Sequence, residues 1–203
     1  MQRVGNIHSG DCDRSATTSS KGIMTKSSVA QVAGPNLRLR LITPADAPYV
    51  YALRTNPHYN RHLSPVTGTV ADQRQWIEGY KAEEAQCRQL YYVIERHDGT
   101  RCGLVRLYKI EKDQFTWGSW VLDANKPRKA ALESAFLSFG IGFDHLGLGM
   151  AKVDVRVENT HAEAFYRRLG MIETNRTAQD IFFDYPRKLF EELRATYLKL
   201  LKG

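Results

Sequence analysis

The chain has 203 residues and a formal net charge of +7, with 42% hydrophobic and 25% charged residues. That composition is typical of a soluble globular protein with one full core. No apolar run approaches the roughly 20 residues needed to cross a bilayer, and the three widely spaced cysteines form no paired motif. We therefore expect no membrane partner, no metal and no disulfide framework, in a reducing, cytoplasmic setting.

The basic residues are scattered along the chain rather than gathered in stripes. This pattern favours a solvated basic surface over a nucleic-acid interface, so we expect no nucleic-acid partner. The positive charge would also attract a polyanionic small ligand.

The beginning of the chain differs in composition from the rest. Residues 1–35 are rich in Ser, Thr and Gly and show no hydrophobic period. We predict a flexible tail over residues 1–35 and one folded domain over residues 36–203.

The first half of that domain predicts a strand and two helices. Residues 36–42 (NLRLRLI) alternate apolar and basic side chains, which indicates a strand. Residues 43–46 (TPAD) and 69–72 (TVAD) resemble capping boxes, and each is expected to begin a helix. Residues 54–68 contain two prolines among polar side chains and predict a loop.

Three strands and a long helix are expected next. Residues 90–95, 103–110 and 115–122 are apolar runs of strand length, and the Asp98-Gly99 pair predicts a hairpin between the first two. Residues 127–145 carry apolar side chains at helical spacing.

Residues 153–171 (VDVRVENTHAEAFYRRLGM) change their hydrophobic period at Asn159. Apolar and charged residues alternate before this point, as in a strand, and apolar residues recur at helical spacing after it. Asn159 is a favoured helix N-cap, and Gly170 is a favoured residue just beyond a helix end. The remaining predicted elements are two antiparallel strands and a terminal amphipathic helix, over residues 172–175, 180–185 and 186–201.

The same stretch resembles the cofactor-site signature of the GNAT superfamily of acetyl-CoA-dependent N-acetyltransferases. The matching positions are Asn159, Ala162, Phe165, Tyr166, Arg168, Gly170 and Met171. The resemblance covers residues 36–190 and implies an α/β GNAT fold. Its central sheet should be mixed and mostly antiparallel, flanked by helices, and splayed between the fourth and fifth strands of the domain.

The resemblance also implies an acetyl-CoA site. Trp120, Val121 and Leu122, at the end of the fourth strand, should lie along the cofactor, and Asn159 should contact it. The loop 125–131 (NKPRKAA) should hold the pyrophosphate.

This loop departs from the glycine-rich form of the family. Ala130 and Ala131 stand in the glycine region, and the preceding proline donates no amide proton. The charges of Lys126, Arg128 and Lys129 could compensate for these differences.

Two residues are implied in catalysis. Tyr166 corresponds to the family's tyrosine near the cofactor sulfur, which can protonate the leaving thiolate; outside this motif it would indicate an ordinary core aromatic. Asp154 is the candidate general base, because partial burial can raise a carboxyl pKa toward a useful value. A salt bridge for Asp154, with a water relay as the base, is the alternative.

The acceptor should lie against the loop over residues 56–64, with Tyr59, Arg61 and His62 as the candidate binding residues. Arg61 could bind a phosphate or be a plain surface arginine. The middle of the chain looks most like enzymes that acetylate nucleotide-linked amino sugars or ribosomal-protein N-termini. A small-molecule amine is the expected substrate of a monomer or homodimer. A peptide or protein N-terminal amine, or a non-catalytic binding module, is the alternative.

Overall fold

The structure is a computed structural model that describes residues 27–63 and 65–202. Its strands are β1 (Gln31–Ala33), β2 (Leu37–Leu41), β3 (Leu90–Arg96), β4 (Arg101–Glu111), β5 (Gln114–Leu122), β6 (Met150–Arg156), β7 (Ile172–Arg176) and β8 (Asp180–Pro186). Its helices are α1 (Ser27–Ala30), α2 (Ala47–Thr55), α3 (Pro57–Asn60), α4 (Val70–Ala85), α5 (Ala130–Gly140), α6 (Thr160–Arg168) and α7 (Arg187–Lys202). A 3₁₀ turn, Pro44–Asp46, precedes α2, and a π-helical turn, Ile141–His145, follows α5.

The eight strands form one mixed sheet in the order β1-β2-β3-β4-β5-β6-β8-β7. Of the described neighbouring strands, β5 and β6 run parallel and the other pairs are antiparallel. The predicted α/β fold with a mixed, mostly antiparallel sheet is confirmed.

The two faces of the sheet bury separate apolar clusters. Side chains alternate along a strand, so Tyr92 and Ile94 of β3 enter one cluster, and Tyr91 and Val93 enter the other. The first cluster lies under α5, α6 and α7 and is rich in aromatic rings, whereas the second lies under α2 and α4. Helices therefore support the sheet from both sides. None of the described helices is both long and apolar enough to cross a membrane.

Ordered structure begins earlier than the sequence indicates. β1 pairs antiparallel with β2, and Val29 is 4% exposed, its carbonyl accepting a hydrogen bond of 2.8 Å from the Tyr92 hydroxyl. The predicted tail boundary at residue 36 is therefore too late, because β1 gains its stability from the edge of β2 rather than from a pattern of its own. Residues 1–26 lie outside the described residues.

Two other predicted boundaries change. The loop predicted over residues 54–68 contains the single turn α3, where the Asn56 side chain accepts a hydrogen bond from the His58 amide at 2.9 Å. The helix predicted from residue 127 begins instead at Ala130, because Lys129 takes a left-handed conformation with φ 61°. The capping box at residues 69–72 is confirmed.

A buried carboxylate joins α5 to the start of β2. Glu133 is fully buried, and one of its oxygens accepts hydrogen bonds of 2.8 Å from the amides of both Asn36 and Leu37. Its other oxygen accepts one of 2.9 Å from the Asn36 side chain. These bonds anchor the first long strand of the sheet to the helix that follows β5.

We expect Glu133→Ala to lower the free energy of unfolding by about 2–5 kcal/mol, because it leaves buried amides without an acceptor. Urea unfolding monitored by circular dichroism would measure this change. Glu78→Ala, at an exposed position of α4, is the matched control and should change stability by at most about 0.5 kcal/mol. Equal losses in the two variants would contradict the role given to Glu133.

Candidate active site

The parallel strands β5 and β6 separate part-way along their length. Their pairing ends at Trp117 and Val153, yet β5 continues to Leu122 and β6 to Arg156. Beyond this point neither strand has a described strand partner on its facing edge. A backbone edge of this kind needs water or a ligand to satisfy its polar groups. The predicted splay between the fourth and fifth strands of the domain is confirmed.

A bulge in β5 accompanies the separation. Two residues of β5, Ser119 and Trp120, oppose the single residue Val105 of β4. Ser119 takes a positive φ of 47°. A bulge bends its strand and increases the local twist, so the end of β5 turns away from β6 and opens a space between them.

An outer pocket of about 390 Å³ lies between the end of β5 and α6. Its walls combine apolar or small side chains with a few polar and basic groups. They are formed by Trp120, Val121, Leu122, Ala131, Asn159, His161, Ala162, Phe165, Tyr166 and Arg168. An extended ligand could therefore lie along the unpaired edge of β5.

An inner pocket of about 250 Å³ lies beside it and is more polar. Its walls come from α2, the turn after α3, the sheet and the start of α6. They are formed by Arg54, Tyr59, His62, Leu63, Tyr108, Gly118, Ser119, Trp120, Asp154, Val155, Arg156, Asn159, Tyr166 and Asp180. Trp120, Asn159 and Tyr166 line both pockets, so the two spaces meet at these side chains.

Tyr166 is held rigidly at that junction. It is 6% exposed, and its ring stands edge-on to Trp117 and Phe183, with centroid distances of 5.9 and 6.0 Å. Burial raises the pKa of its hydroxyl, and the nearby Asp154 carboxylate raises it further. Tyr166 therefore keeps its proton at neutral pH and can act as a hydrogen-bond donor or an acid.

Asp154 lies in the inner pocket, on the β6 side. Its carboxylate reaches solvent through the pocket mouth, but surrounding protein atoms displace enough water to raise its pKa. The Asp180 carboxylate raises the pKa further, whereas Lys109 and Arg156 oppose this effect. The structure thus places both predicted catalytic residues at one pocket, where the Asp154 carboxylate helps burial to keep the Tyr166 hydroxyl protonated.

Asn159 fixes the start of α6. Its side-chain oxygen accepts a hydrogen bond from the Ala162 amide at 3.2 Å, which confirms the predicted N-cap. Gly170 has a φ of 78°, as expected for the residue that ends the helix. This local structure sets the position of Tyr166 relative to β6.

Trp120 joins the end of β5 to two helices. Its indole donates a hydrogen bond of 3.1 Å to the Ser134 hydroxyl of α5, and its ring stacks on Phe165 of α6 at 5.2 Å. Val121 and Leu122 continue the same wall, and Ala131 faces it from α5. These four predicted cofactor residues are brought together in the outer pocket.

The other predicted cofactor residues, in the loop before α5, do not line either pocket. The described lining residues of the two pockets do not include Lys126, Arg128, Lys129 or Ala130. The Lys126 and Lys129 ammonium groups donate to the carbonyls of Asp123, at 3.5 Å, and Leu200, at 2.6 Å. Arg128 is exposed and Ala130 is 2% exposed.

The predicted acceptor residues divide into two groups. Tyr59 and His62 line the inner pocket, and the Tyr59 hydroxyl accepts a hydrogen bond of 3.1 Å from the Ala124 amide. The Nδ1 atom of His62 is buried without a described hydrogen-bond partner. Arg61 is exposed and does not line that pocket, because the turn after α3 directs it outward.

Three of the wall residues that sequence reasoning missed carry polar groups that a bound ligand could contact. Arg54 falls within the predicted loop 54–68, whereas the structure places it in the last turn of α2. Tyr108 lies on β4, where alternation with buried Leu107 could have indicated its face of the sheet. Arg168 belongs to the motif itself but received no role. No described cluster of His, Cys, Asp and Glu side chains could hold a metal ion.

Comparison with known proteins agrees with this arrangement. A family model described as an acetyltransferase (GNAT) domain matches residues 36–172. The apo structure of FdhC, described as a nucleotide-linked sugar GNAT, is 31% identical, with a TM-score of 0.76, covering 82% of this chain and 95% of that chain. No curated protein sequence matches the chain significantly.

Two more distant structures share the fold. RimJ of Mycobacterium smegmatis, in complex with CoA-disulfide, is 20% identical, with a TM-score of 0.69, covering 83% of this chain and 95% of that chain. A mutant of SpeG, the spermidine N-acetyltransferase of Vibrio cholerae, is 17% identical, with a TM-score of 0.65, covering 76% and 96%. Together with the family match, these findings show that the chain belongs to the GNAT acetyltransferase superfamily.

Proposed function

We propose that this protein is an acetyl-CoA-dependent N-acetyltransferase that acts on the primary amine of a small molecule, with nucleotide-linked amino sugars as the acceptor class. The observation that carries this proposal is the meeting of two pockets at Tyr166. One pocket suits a long cofactor and the other suits a polar acceptor. The 31% identity with a nucleotide-linked sugar GNAT supports the acceptor class.

The outer pocket fits the pantetheine part of acetyl-CoA. The unpaired edge of β5 at Trp120–Leu122 offers backbone groups to an extended amide chain, and Ala131 and Ala162 leave room beside it. Arg168 places a positive charge in the same wall. Bound acetyl-CoA would supply an acetyl group activated as a thioester.

Asp154 has the properties that a general base for the acceptor amine needs. An alkyl ammonium cannot attack until it loses a proton. The Asp154 carboxylate faces the inner pocket, and its raised pKa means that it holds a proton more tightly than an ordinary aspartate does. Asp154 can thus take the proton on its carboxylate oxygen and release it to solvent through the pocket mouth.

Tyr166 can supply the proton that the leaving group needs. Its hydroxyl stays protonated because burial and the Asp154 charge raise its pKa. The surrounding rings fix its orientation at the pocket junction. It can therefore donate a proton from its hydroxyl oxygen to a departing group at that point.

Isothermal calorimetry should show that the purified protein binds acetyl-CoA, and thiol release should depend on an acceptor. We expect nucleotide-linked amino sugars to outperform N-terminal peptides in a panel assay. Absence of binding at millimolar acetyl-CoA would support a non-catalytic module instead. Preference for peptides would support the alternative acceptor, a protein N-terminus.

Tyr166→Phe is expected to lower kcat by roughly 100-fold, because it removes the proton donor and keeps the aromatic ring. The affinity for acetyl-CoA, measured by calorimetry, should change little. Tyr51→Phe removes a hydroxyl that donates to the Gly68 carbonyl at 2.9 Å, outside both pockets, and is the matched control. Unchanged kcat in Tyr166→Phe would remove this residue from the proposed role.

The pH dependence of kcat/KM tests Asp154. A base works only when deprotonated, so kcat/KM should fall as the pH drops through the raised pKa of Asp154, above the ordinary value of 3.8. Asp154→Asn should lower kcat/KM at least about tenfold and remove this acidic limb. Glu111→Gln, at an exposed carboxyl of β4, should leave the profile unchanged.

The same substitution has a predicted effect on stability. A carboxyl whose pKa is higher in the folded state than in the unfolded state favours the fold when protonated and opposes it when charged. At neutral pH, Asp154→Asn should therefore raise the melting temperature while lowering activity. A lower melting temperature would indicate that Asp154 serves the fold instead.

A further inference from the structure

The inner pocket has an acidic side and a basic side. Asp180 at the pocket wall is paired with Arg156 at 3.2 Å, which leaves Asp154 as the acidic group facing the space. On the α2 side the wall is formed by Arg54 and His62. The pocket therefore combines a carboxylate contributed by β6 with the basic side chains Arg54 and His62, contributed by α2 and the turn after α3.

A second arginine, Arg106, lies beside the pocket wall but is not among the described residues that line the pocket. Arg106 of β4 pairs directly with Gly118, a residue of the pocket wall. Its guanidinium lies 5.3 Å from the ring centre of Trp76, 5.8 Å from that of Tyr91 and 5.2 Å from that of Tyr108. Its polar contact is with the neutral side chain of Gln89, and its Nε atom is buried without a described hydrogen-bond partner.

Aromatic rings, rather than a carboxylate, surround the charge of Arg106. Burial lowers the pKa of its guanidinium, and the positive charge of Arg54 adds to this effect. No carboxylate in the described part of the chain pairs with Arg106. A half-buried cation without an acidic partner costs stability, so its presence beside a pocket suggests that an anion from outside the chain completes the site.

The two arginines are connected through one side chain. The guanidinium of Arg106 lies 5.8 Å from the ring centre of Tyr91. Burial raises the pKa of the Tyr91 hydroxyl, and the positive charges of Arg54 and Arg106 both oppose this effect. Tyr108 links the two sides of the pocket, because it lines the pocket together with Asp154 and its ring centre lies 5.2 Å from the Arg106 guanidinium. The acidic and basic sides therefore belong to one continuous site.

We propose that Arg54 and Arg106 form an anion subsite that binds the diphosphate of the acceptor while the acceptor amine lies at Asp154. This inference rests on the proposed function and assigns the phosphate-binding role to two residues of α2 and β4. Two guanidinium groups carry two positive charges and several N–H donors. These match the negative charges and the oxygen acceptors of a diphosphate. The same charges disfavour polycationic amines such as spermidine.

The test compares two acceptors that carry the same amino sugar, one linked to a nucleoside diphosphate and one free. The wild-type protein should prefer the linked sugar, measured as kcat/KM. Arg106→Met and Arg54→Met should each lower kcat/KM for the linked sugar at least about tenfold and reduce the preference accordingly. Arg74→Met, at an exposed position of α4 outside the pocket walls, is the control for loss of an arginine charge.

Equal losses for the two acceptors in both arginine variants would indicate a structural role and overturn the subsite. Unchanged preference in both variants would overturn it as well. Circular dichroism of each variant checks folding. If Arg106→Met does not fold, the preference of Arg54→Met between the two sugars tests the subsite.

Inorganic pyrophosphate separates this subsite from a cofactor phosphate site. It should inhibit competitively against the linked sugar but not against acetyl-CoA, and Arg106→Met should weaken the inhibition at least about tenfold. Competition against acetyl-CoA alone would overturn the inference. If the wild-type protein acetylates neither sugar, the proposed function fails. The subsite is then tested by calorimetry with pyrophosphate alone. Loss of pyrophosphate binding in Arg106→Met would still support the subsite, and unchanged binding would overturn it.

Discussion

A backbone group that leaves a β-ladder must find another partner, and this requirement governs the region where β5 and β6 separate. Pairing stops at Trp117 and Val153, and the β5 bulge at Ser119 turns the strand end outward. The separation would be costly inside a closed core. Here it opens onto two pockets, so the unpaired edge lies where a ligand can satisfy it.

The aromatic cluster beneath the sheet fixes the positions of the elements that border this separation. Trp117 stacks on Phe139 at 4.7 Å and meets Tyr166 edge-on, while Trp120 stacks on Phe165. These contacts join β5, α5 and α6 through rings that have few rotatable bonds. The Tyr166 hydroxyl, the proposed proton donor, therefore inherits the rigidity of the core, as effective proton transfer requires.

Local patterns predicted the parts of the fold that local forces determine. The change of period at Asn159, the cap itself and the stop at Gly170 lie within one stretch, and the family motif identified the wall that carries Tyr166. The pairing of β1 with β2 could not be predicted, because a short edge strand depends on a partner distant in sequence. The direction of Arg61 and the inward position of Arg54 depend on how α2 and α3 join, which no periodicity records.

The basic loop before α5 shows the limit of reasoning from a motif. Charge suggested that Lys126 and Lys129 serve the pyrophosphate, but their ammonium groups contact carbonyls, and Lys129 reaches the end of α7. Lys129 takes the left-handed backbone conformation that a glycine usually adopts in such a turn. Ala131 alone among the loop residues reaches the outer pocket.

The strand β8 belongs to the domain although it lies beyond the end of the family-model match. The family match ends at residue 172, whereas β8 pairs with β6 along its whole length, from Met150 to Arg156. A fragment cut at the end of the match would leave β6 as a bare sheet edge, and exposed edges promote aggregation. The carboxylate of Asp154 would then stand on a frayed strand, so recombinant expression of this protein should retain the chain through α7.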